Sequence, residues 1–244
     1  MAASRNSGEP AYFALIGDVV GSRKLEPQQR AALQRKIRKT IRQLNDELTS
    51  EVLAAYLSLT AGDEIQALFR TPDRIVHAVR YLSDNIHPVS FAFGLGYGSL
   101  STGNIPKPPR ATRNVARLDG HCFHTARDAL DRAKHDGTWL VANGFGEFLD
   151  LSISITSELL GAIRRGWTEK QLGYMMAARE KSQAEVARQH GVSPSVVSES
   201  LKSASYDAVL HGEAMVEQLL VAFGSRHELL QYSALEPNTR EIRT

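Results

Sequence analysis

The sequence predicts an α+β protein, a mixed or antiparallel sheet covered by helices and followed by a small all-α domain. Three observations carry this prediction. Strand-like apolar runs alternate with helix-period segments in the N-terminal part, strand signals stop near Asp150, and beyond that point apolar residues recur only at helical spacing. The change of period sets the expected boundaries: an arm at 1–10, a sheet domain at 11–150, a helical domain at 151–223 and a tail at 224–244.

The opening MAASRNSGEP is small and polar and is expected to be a disordered arm. AYFALIGDVV, from Ala11 to Val20, is apolar on both faces, as a central strand buried on both sides requires, and ends in an aspartate followed by Gly21 and Ser22. From Pro27 to Leu48, the residues Ala31, Leu33, Ile37, Ile41, Leu44 and Leu48 mark a long amphipathic helix started by Pro27. VLAAYLSLT and IQALF are strand-like and are joined by Ala61, Gly62, Asp63 and Glu64, which predicts a hairpin. A helix over Asp73 to Asn85, with Ile75, Val79 and Leu82 inward, is stopped by Pro88. VSFAFGLGYGSL is a further strand, whose Gly94, Gly96 and Gly98 allow close backbone approach or bending. The stretch STGNIPKPPRATRNVARL has three prolines and no clear period, the mark of a functional or disordered loop. A helix over His121 to Lys134 and a strand over Thr138 to Ala142 complete the sheet domain.

Helices are expected at Ile155 to Arg165, Thr168 to Arg179, Gln183 to His190, from Ser193 and Pro194 onward, and at Tyr206 to Phe223, with a fraying EPNTREIRT end. KSQAEVARQHGVSPSVVSESLKSA has the form of a helix-turn-helix: Val186 and Ala187 face inward, Gly191 makes the turn, and Val197 and Leu201 face inward again. The second helix of such a motif enters the major groove of double-stranded DNA, which makes Ser195, Ser198, Glu199 and Lys202, with Arg188 on the preceding helix, the candidate DNA-binding residues. Between Trp167 and Phe223 five Lys/Arg stand against seven Asp/Glu, whereas DNA-binding domains are usually basic. Arg164 and Arg165 could add phosphate contacts, and a homodimer would double a weak footprint.

With 244 residues, the chain is long enough for one large domain or two small ones. Its 42% hydrophobic and 23% charged residues exclude a collagen, a disordered chain and a disulfide scaffold. Basic residues outnumber acidic ones only 29 to 27, so any affinity for nucleic acid must come from a local patch. The apolar stretch Ala11 to Ile16 is too short to span a bilayer and has no signal-peptide flanks; a cytoplasmic protein without a membrane partner is expected. The single cysteine, Cys122, is expected to be a buried structural thiol. His121, Cys122 and His124 crowd into four helical residues and cannot all reach one zinc ion.

Asp18 ends a strand and Asp63 and Glu64 stand at a hairpin tip, so adjacent strands would bring their carboxylates close together. All-oxygen ligands suit a hard ion such as Mg²⁺, and metals held in this way can serve phosphoryl transfer. The competing reading is that Asp18 caps a turn and that Asp63 is there for its backbone conformation. Arg23 and Lys24 follow the Asp18 turn, and Lys107, Arg110, Arg113 and Arg117 populate the long loop; either group could meet a triphosphate or present a solvated charged surface. The first helix is basic as well, with eight Lys/Arg against three Asp/Glu from Arg23 to Leu48.

The segments ALIGDVVGSRKL, LSLTAGDEIQALF, FGLGYGSLSTGNI and DGHCFHTARDAL, in this order, resemble the SatD family over roughly residues 11 to 145. More distantly they are similar to the palm-like, ferredoxin-like catalytic domain of class III nucleotidyl cyclases and of GGDEF diguanylate cyclases. That resemblance implies metal ligation by Asp18 and Asp63, with Glu64 matching the acid after the second Asp of GGDEF. It also implies nucleotide contacts from Gly21, Ser22, Arg23, Lys24 and Arg127. Two positions depart from the pattern: Phe123 stands where cyclases place an Asn four residues before the Arg, and Ala61 replaces the first Gly of the GGDEF tip. The departures assign no residue a catalytic role and favour binding of a nucleoside triphosphate over its turnover. The expected function is therefore a transcriptional or stress regulator in which a nucleotide- and Mg²⁺-sensing palm-like domain is coupled to a DNA-binding helix-turn-helix. The alternatives are a metal-dependent nucleotidyl cyclase or transferase using Asp18 and Asp63, and a scaffold whose helical tail mediates association.

Overall fold

A computed structural model describes residues 10–60, 62–102, 105–107 and 110–235, with the side chains of Arg23 and of 227–235 left aside. Apart from Pro10, the expected N-terminal arm lies outside the described residues, as do 236–244 of the expected tail. The chain forms β1 (Ala11–Val19), α1 (Pro27–Glu47), β2 (Leu53–Leu59), β3 (Ile65–Phe69), α2 (Ile75–Ile86), β4 (Phe91–Ser99), α3 (His121–Asp136) and β5 (Leu140–Asn143). Five helices follow: α4 (Glu147–Arg165), α5 (Glu169–Ala178), α6 (Gln183–His190), α7 (Pro194–Ser203) and α8 (Tyr206–Leu235). The sheet order is β2-β3-β1-β4-β5, antiparallel except for the parallel β4-β5 pair, so the sheet is mixed. β1 lies at its centre, where a strand apolar on both faces belongs.

Alternation along β1 and β4 assigns the two faces. Tyr12, Ala14 and Ile16 point to one side, where they meet Cys122, Ala126, Ala129, Leu130 and Ala133 of α3. Phe13, Leu15 and Val19 point to the other and join α1, α2 and the C-terminal helices. In β4 the large residues Phe91, Phe93 and Leu95 take this second face, leaving Gly94, Gly96 and Gly98 under α3. A Cβ at Gly94 would overlap the backbone of Ala126 and Leu130, and one at Gly96 the backbone of Cys122 and Ala126. The glycines are thus the condition for close helix-on-strand contact. Cys122 is fully buried there, and burial pushes its thiol up to about 12, the behaviour of a structural cysteine.

The second face carries one continuous apolar core, from Phe13 of β1 through Trp167 and Leu172 to Phe223 of α8. Phe223 sits among Phe13, Tyr97 and Phe145, with ring centroids 6.4, 4.7 and 5.0 Å away. Charge is buried beside this core. Asp84 of α2 pairs with Arg164 of α4 and with Arg80, while Glu213 of α8 receives Arg179 at 2.8 Å and has Arg164 at 3.7 Å. The Arg164 guanidinium lies 4.7 Å from the ring centroids of both Trp139 and Trp167.

The strands and most helices fall where the sequence predicts them, with three differences. α4 begins at Glu147, not near Ile155, because its first turn is fixed by Asp150 accepting from the Gly144 and Phe145 amides. The break in strand signal near Asp150 therefore falls inside a helix that packs on β5. α8 continues past Phe223 to Leu235, since no proline interrupts the chain there. Described residues of the long loop are tied to the sheet: Thr112 exchanges backbone hydrogen bonds with Ala54 and Tyr56 at 3.0 Å, and Arg70 donates to the Arg110 carbonyl. Among the described residues, no helix is long and apolar enough to cross a membrane.

Replacing Gly96 with Ala tests the strand-helix contact. Overpacking of this kind typically costs about 1–3 kcal/mol, so the urea midpoint should fall by that amount of stability with an unchanged slope.

Candidate functional site

β1 and β3 run antiparallel with Gly17 opposite Ile65, so Asp18 and Glu64 come next along the pair, one at the end of β1 and one at the start of β3. Both follow the phase of the α3-facing residues. Carboxylates directly opposite one another repel, and α3 supplies a cation to each. Glu64 is gripped at both oxygens by Arg127, with Nη2 donating to Oε1 at 2.8 Å, and also accepts from Gln66 at 2.8 Å and Thr60 at 3.4 Å. Asp18 pairs with Lys134. Arg127 and Lys134 are seven residues apart on α3, two turns of one helix face.

Burial would push the Glu64 carboxyl up, but the hydrogen bonds from Arg127, Gln66 and Thr60 outweigh it and hold the group below its ordinary value. Arg127 is held above its own ordinary value, first by the hydrogen bonds to Glu64 and further by the charges of Asp131 and Asp18. The four charges therefore form one electrostatic unit. Sequence reasoning pointed to Asp18, Glu64 and Arg127 but missed Lys134. The signal was present: Arg127, Asp131 and Lys134 recur at helical spacing along α3.

Asp63 takes no part in these pairs. Its Oδ2 is buried with no hydrogen-bond partner among the described residues. Gly62 before it has φ 66°, the left-handed turn conformation, and its carbonyl accepts from Gln34 of α1 at 3.1 Å. At the other end of the candidate set, Gly21 is also left-handed and opens a short 3-10 turn over Ser22–Lys24. Ser22 is buried and Lys24 is exposed. Among the described residues no group of three or more His, Cys, Asp and Glu side chains is arranged to hold a metal ion.

In the C-terminal part, α6 and α7 are joined by Gly191–Ser193, with Gly191 left-handed at φ 68°. Ser182 caps α6 reciprocally with Glu185, and Val186, Val197 and Leu201 are buried beneath the pair. Ser195, Ser198, Glu199 and Lys202 line one exposed face of α7, and Arg188 is exposed on α6. Arg164 is not available for phosphate contacts, because it is buried against Asp84 and the two indoles. Arg179 is likewise committed to Glu213. On α4 the large apolar residues Phe148, Leu151, Ile155 and Leu159 are exposed, Phe148 by 76%.

Fold and site together define a mixed α+β protein with compensated charge pairs at the end of its sheet and an exposed polar helix near its C-terminus. The chain belongs to the SatD family, whose family model matches residues 12–220 and so includes the C-terminal helices as far as Leu220 of α8. Among solved structures it is similar to a regulator of polyketide synthase expression from Bifidobacterium adolescentis, at 17% identity over 91% of this chain and 87% of that one. The TM-score is 0.22. No curated protein matches the chain.

The Glu64 pair has a pH signature. A carboxyl depressed in the folded state contributes stability above its unfolded value, near 4.5, and loses it as pH falls through the folded value. Urea melts of the wild type and Glu64→Gln should differ by a constant amount at neutral pH, and the difference should shrink below about pH 4.5. A difference independent of pH would show that the Glu64 charge contributes nothing.

Proposed function

We infer that this SatD-family protein is a DNA-binding regulator in which a palm-like sheet domain senses a nucleoside triphosphate with Mg²⁺ and a helix-turn-helix, α6 and α7, reads double-stranded DNA. The observation that carries the DNA half is the exposed face of Ser195, Ser198, Glu199 and Lys202 on a helix held by a buried Val186, Val197 and Leu201 core. These side chains can donate to and accept from base edges and phosphates. With Arg164 and Arg179 committed internally, the cationic footprint is small, and affinity should be salt-sensitive. A homodimer would double that footprint, and the exposed stripe Phe148, Leu151, Ile155 and Leu159 on α4 is the surface proposed for it.

The sensing half is supported by the β-α-β-β-α-β path of the first four strands, with β1 between β3 and β4, and by the charge pairs at the end of β1. Asp18, Asp63 and Glu64 offer only oxygen donors, which fits Mg²⁺, and the buried, unpartnered Asp63 Oδ2 is an atom that a cation would satisfy. A Mg²⁺-bound triphosphate carries both signs of charge. It can replace Lys134 at Asp18 with a cation while offering phosphate oxygens to Lys134 and Arg127. Gly21, Ser22, Arg23 and Lys24 lie just beyond Asp18 for further phosphate contacts. The ion would supply charge neutralisation at the phosphates; orientation falls to the α3 cations. With Phe123 rather than Asn on α3, binding should outlast catalysis, because electrostatic stabilisation is usually the largest catalytic contribution.

Two experiments test the halves separately. In fluorescence anisotropy with genomic DNA fragments, binding should weaken as salt rises, and Arg188→Ala with Lys202→Ala should lower affinity and flatten the salt slope by about two counterions. Leu151→Glu should migrate as a monomer and bind more weakly than the wild type. Failure of the full chain to bind at low salt would favour a scaffold. Calorimetry with Mg²⁺ and each triphosphate should show binding that Asp63→Ala weakens. Efficient formation of a cyclic or linked nucleotide, abolished by Asp18→Ala, would instead establish a cyclase or transferase.

A further inference from the structure

A cavity of about 350 Å³ lies where the sheet meets the C-terminal helices, within the size range of small-molecule sites. One side is formed by the turn between α2 and β4 and by the end of α3, and the other by the end of α4 and the start of α5. Its lining combines two kinds of group. Trp139 and Trp167, which flank Arg164 and are each 8% exposed, contribute apolar lining, while the exposed Lys134 and Arg165 supply positive charge. No aspartate or glutamate lines it. Asp18 and Asp84, which pair with Lys134 and Arg164, stand outside the lining. Arg164 itself is held by Asp84, with Glu213 at 3.7 Å, so Lys134 and Arg165 are the cations that a ligand can reach.

We propose that this cavity binds a small planar molecule carrying one acidic group, a carboxylate or a phosphate, with its ring against the tryptophans and its anion between Lys134 and Arg165. Apolar lining with two exposed cations and no acid matches that ligand and disfavours a cation or a neutral sugar; Arg165 donates at present to the Gly137 carbonyl at 3.1 Å, a contact the anion would share. Because Lys134 also serves Asp18, occupancy would compete for the cation that compensates the end of β1. The ligand would bridge the sheet and the C-terminal helices, so its binding free energy would stabilise their present arrangement. The site shares Lys134 with the triphosphate contacts proposed above and none of its other lining residues, so Arg165→Gln separates the two: it should weaken this ligand and leave triphosphate binding unchanged.

The chain contains two tryptophans, both in the cavity lining, so the two indole N–H signals of a ¹⁵N-labelled sample report on it directly. The full chain would be titrated with 1-naphthoate, 1-naphthyl phosphate and, as a neutral control, 1-naphthol. At least one anion should shift both indole signals saturably below about 10 mM, a range that corresponds to a few kcal/mol of binding. The anion that binds more tightly identifies the acidic group. Arg165→Gln, at an exposed position, and Lys134→Gln should each weaken anion binding about three- to tenfold and leave 1-naphthol unchanged, the effect of losing one charge-assisted contact. Saturable shifts lost in this pattern support the proposal. Absence of saturation for both anions, equal affinity for 1-naphthol, or insensitivity to both substitutions would overturn it. Dispersed indole signals in each variant confirm that it is folded.

Discussion

Close contact between α3 and β4 is the constraint on which the site depends. Only glycine at 94 and 96 lets the helix backbone rest on the strand, and α3 answers with Cys122, Ala126, Ala129 and Ala133. At that separation Arg127 and Lys134 reach Glu64 and Asp18 along one helix face. A bulkier strand would lift the helix and leave two carboxylates facing each other without cations. The packing of small residues, remote from any charge, thus decides the electrostatics at the sheet's end.

A second dependence ties the C-terminal helices to the sheet. Three arginines, Arg80, Arg164 and Arg179, surround two acids, Asp84 and Glu213, leaving one positive charge in excess. The two indoles on Arg164 meet that excess with the negative faces of their rings. Such a cluster adds little net stability over an apolar equivalent, but it is intolerant of losing one member and of altered geometry. It therefore fixes how α2, α4, α5 and α8 sit relative to one another.

Local pattern made the strands, the α1 and α3 helices and the α6–α7 turn legible in the sequence, because each has its own period, cap or glycine. β1 was readable as central from its two apolar faces alone. The start of α4 was less readable: Phe148, Leu151 and Ile155 lie on an exposed apolar stripe that resembles neither a buried strand nor an amphipathic surface helix. The ion cluster could not be read at all, since its five members span Arg80 to Glu213 and nothing local to any of them specifies the others. For the same reason Arg164 reads as a surface cation in the sequence and is buried in the fold. The sequence pointed to Asp18 and Asp63, with Glu64 beside it, as acids brought together by adjacent strands; that Glu64 and Asp18 are the two compensated by α3 is a tertiary fact.

The seat of Phe223 among Phe13, Tyr97 and Phe145 bears on how the chain is made. Translation proceeds from the N-terminus at about 5–20 residues per second, and the sheet strands emerge long before α8. Until that helix arrives, the newly formed sheet exposes an aromatic face to solvent and to other nascent chains. Completion of the core is thus deferred until α8 has emerged, and the closing contact joins residues more than 200 positions apart. A chain arrested before α8 would carry Phe13, Tyr97 and Phe145 without the ring that seats among them.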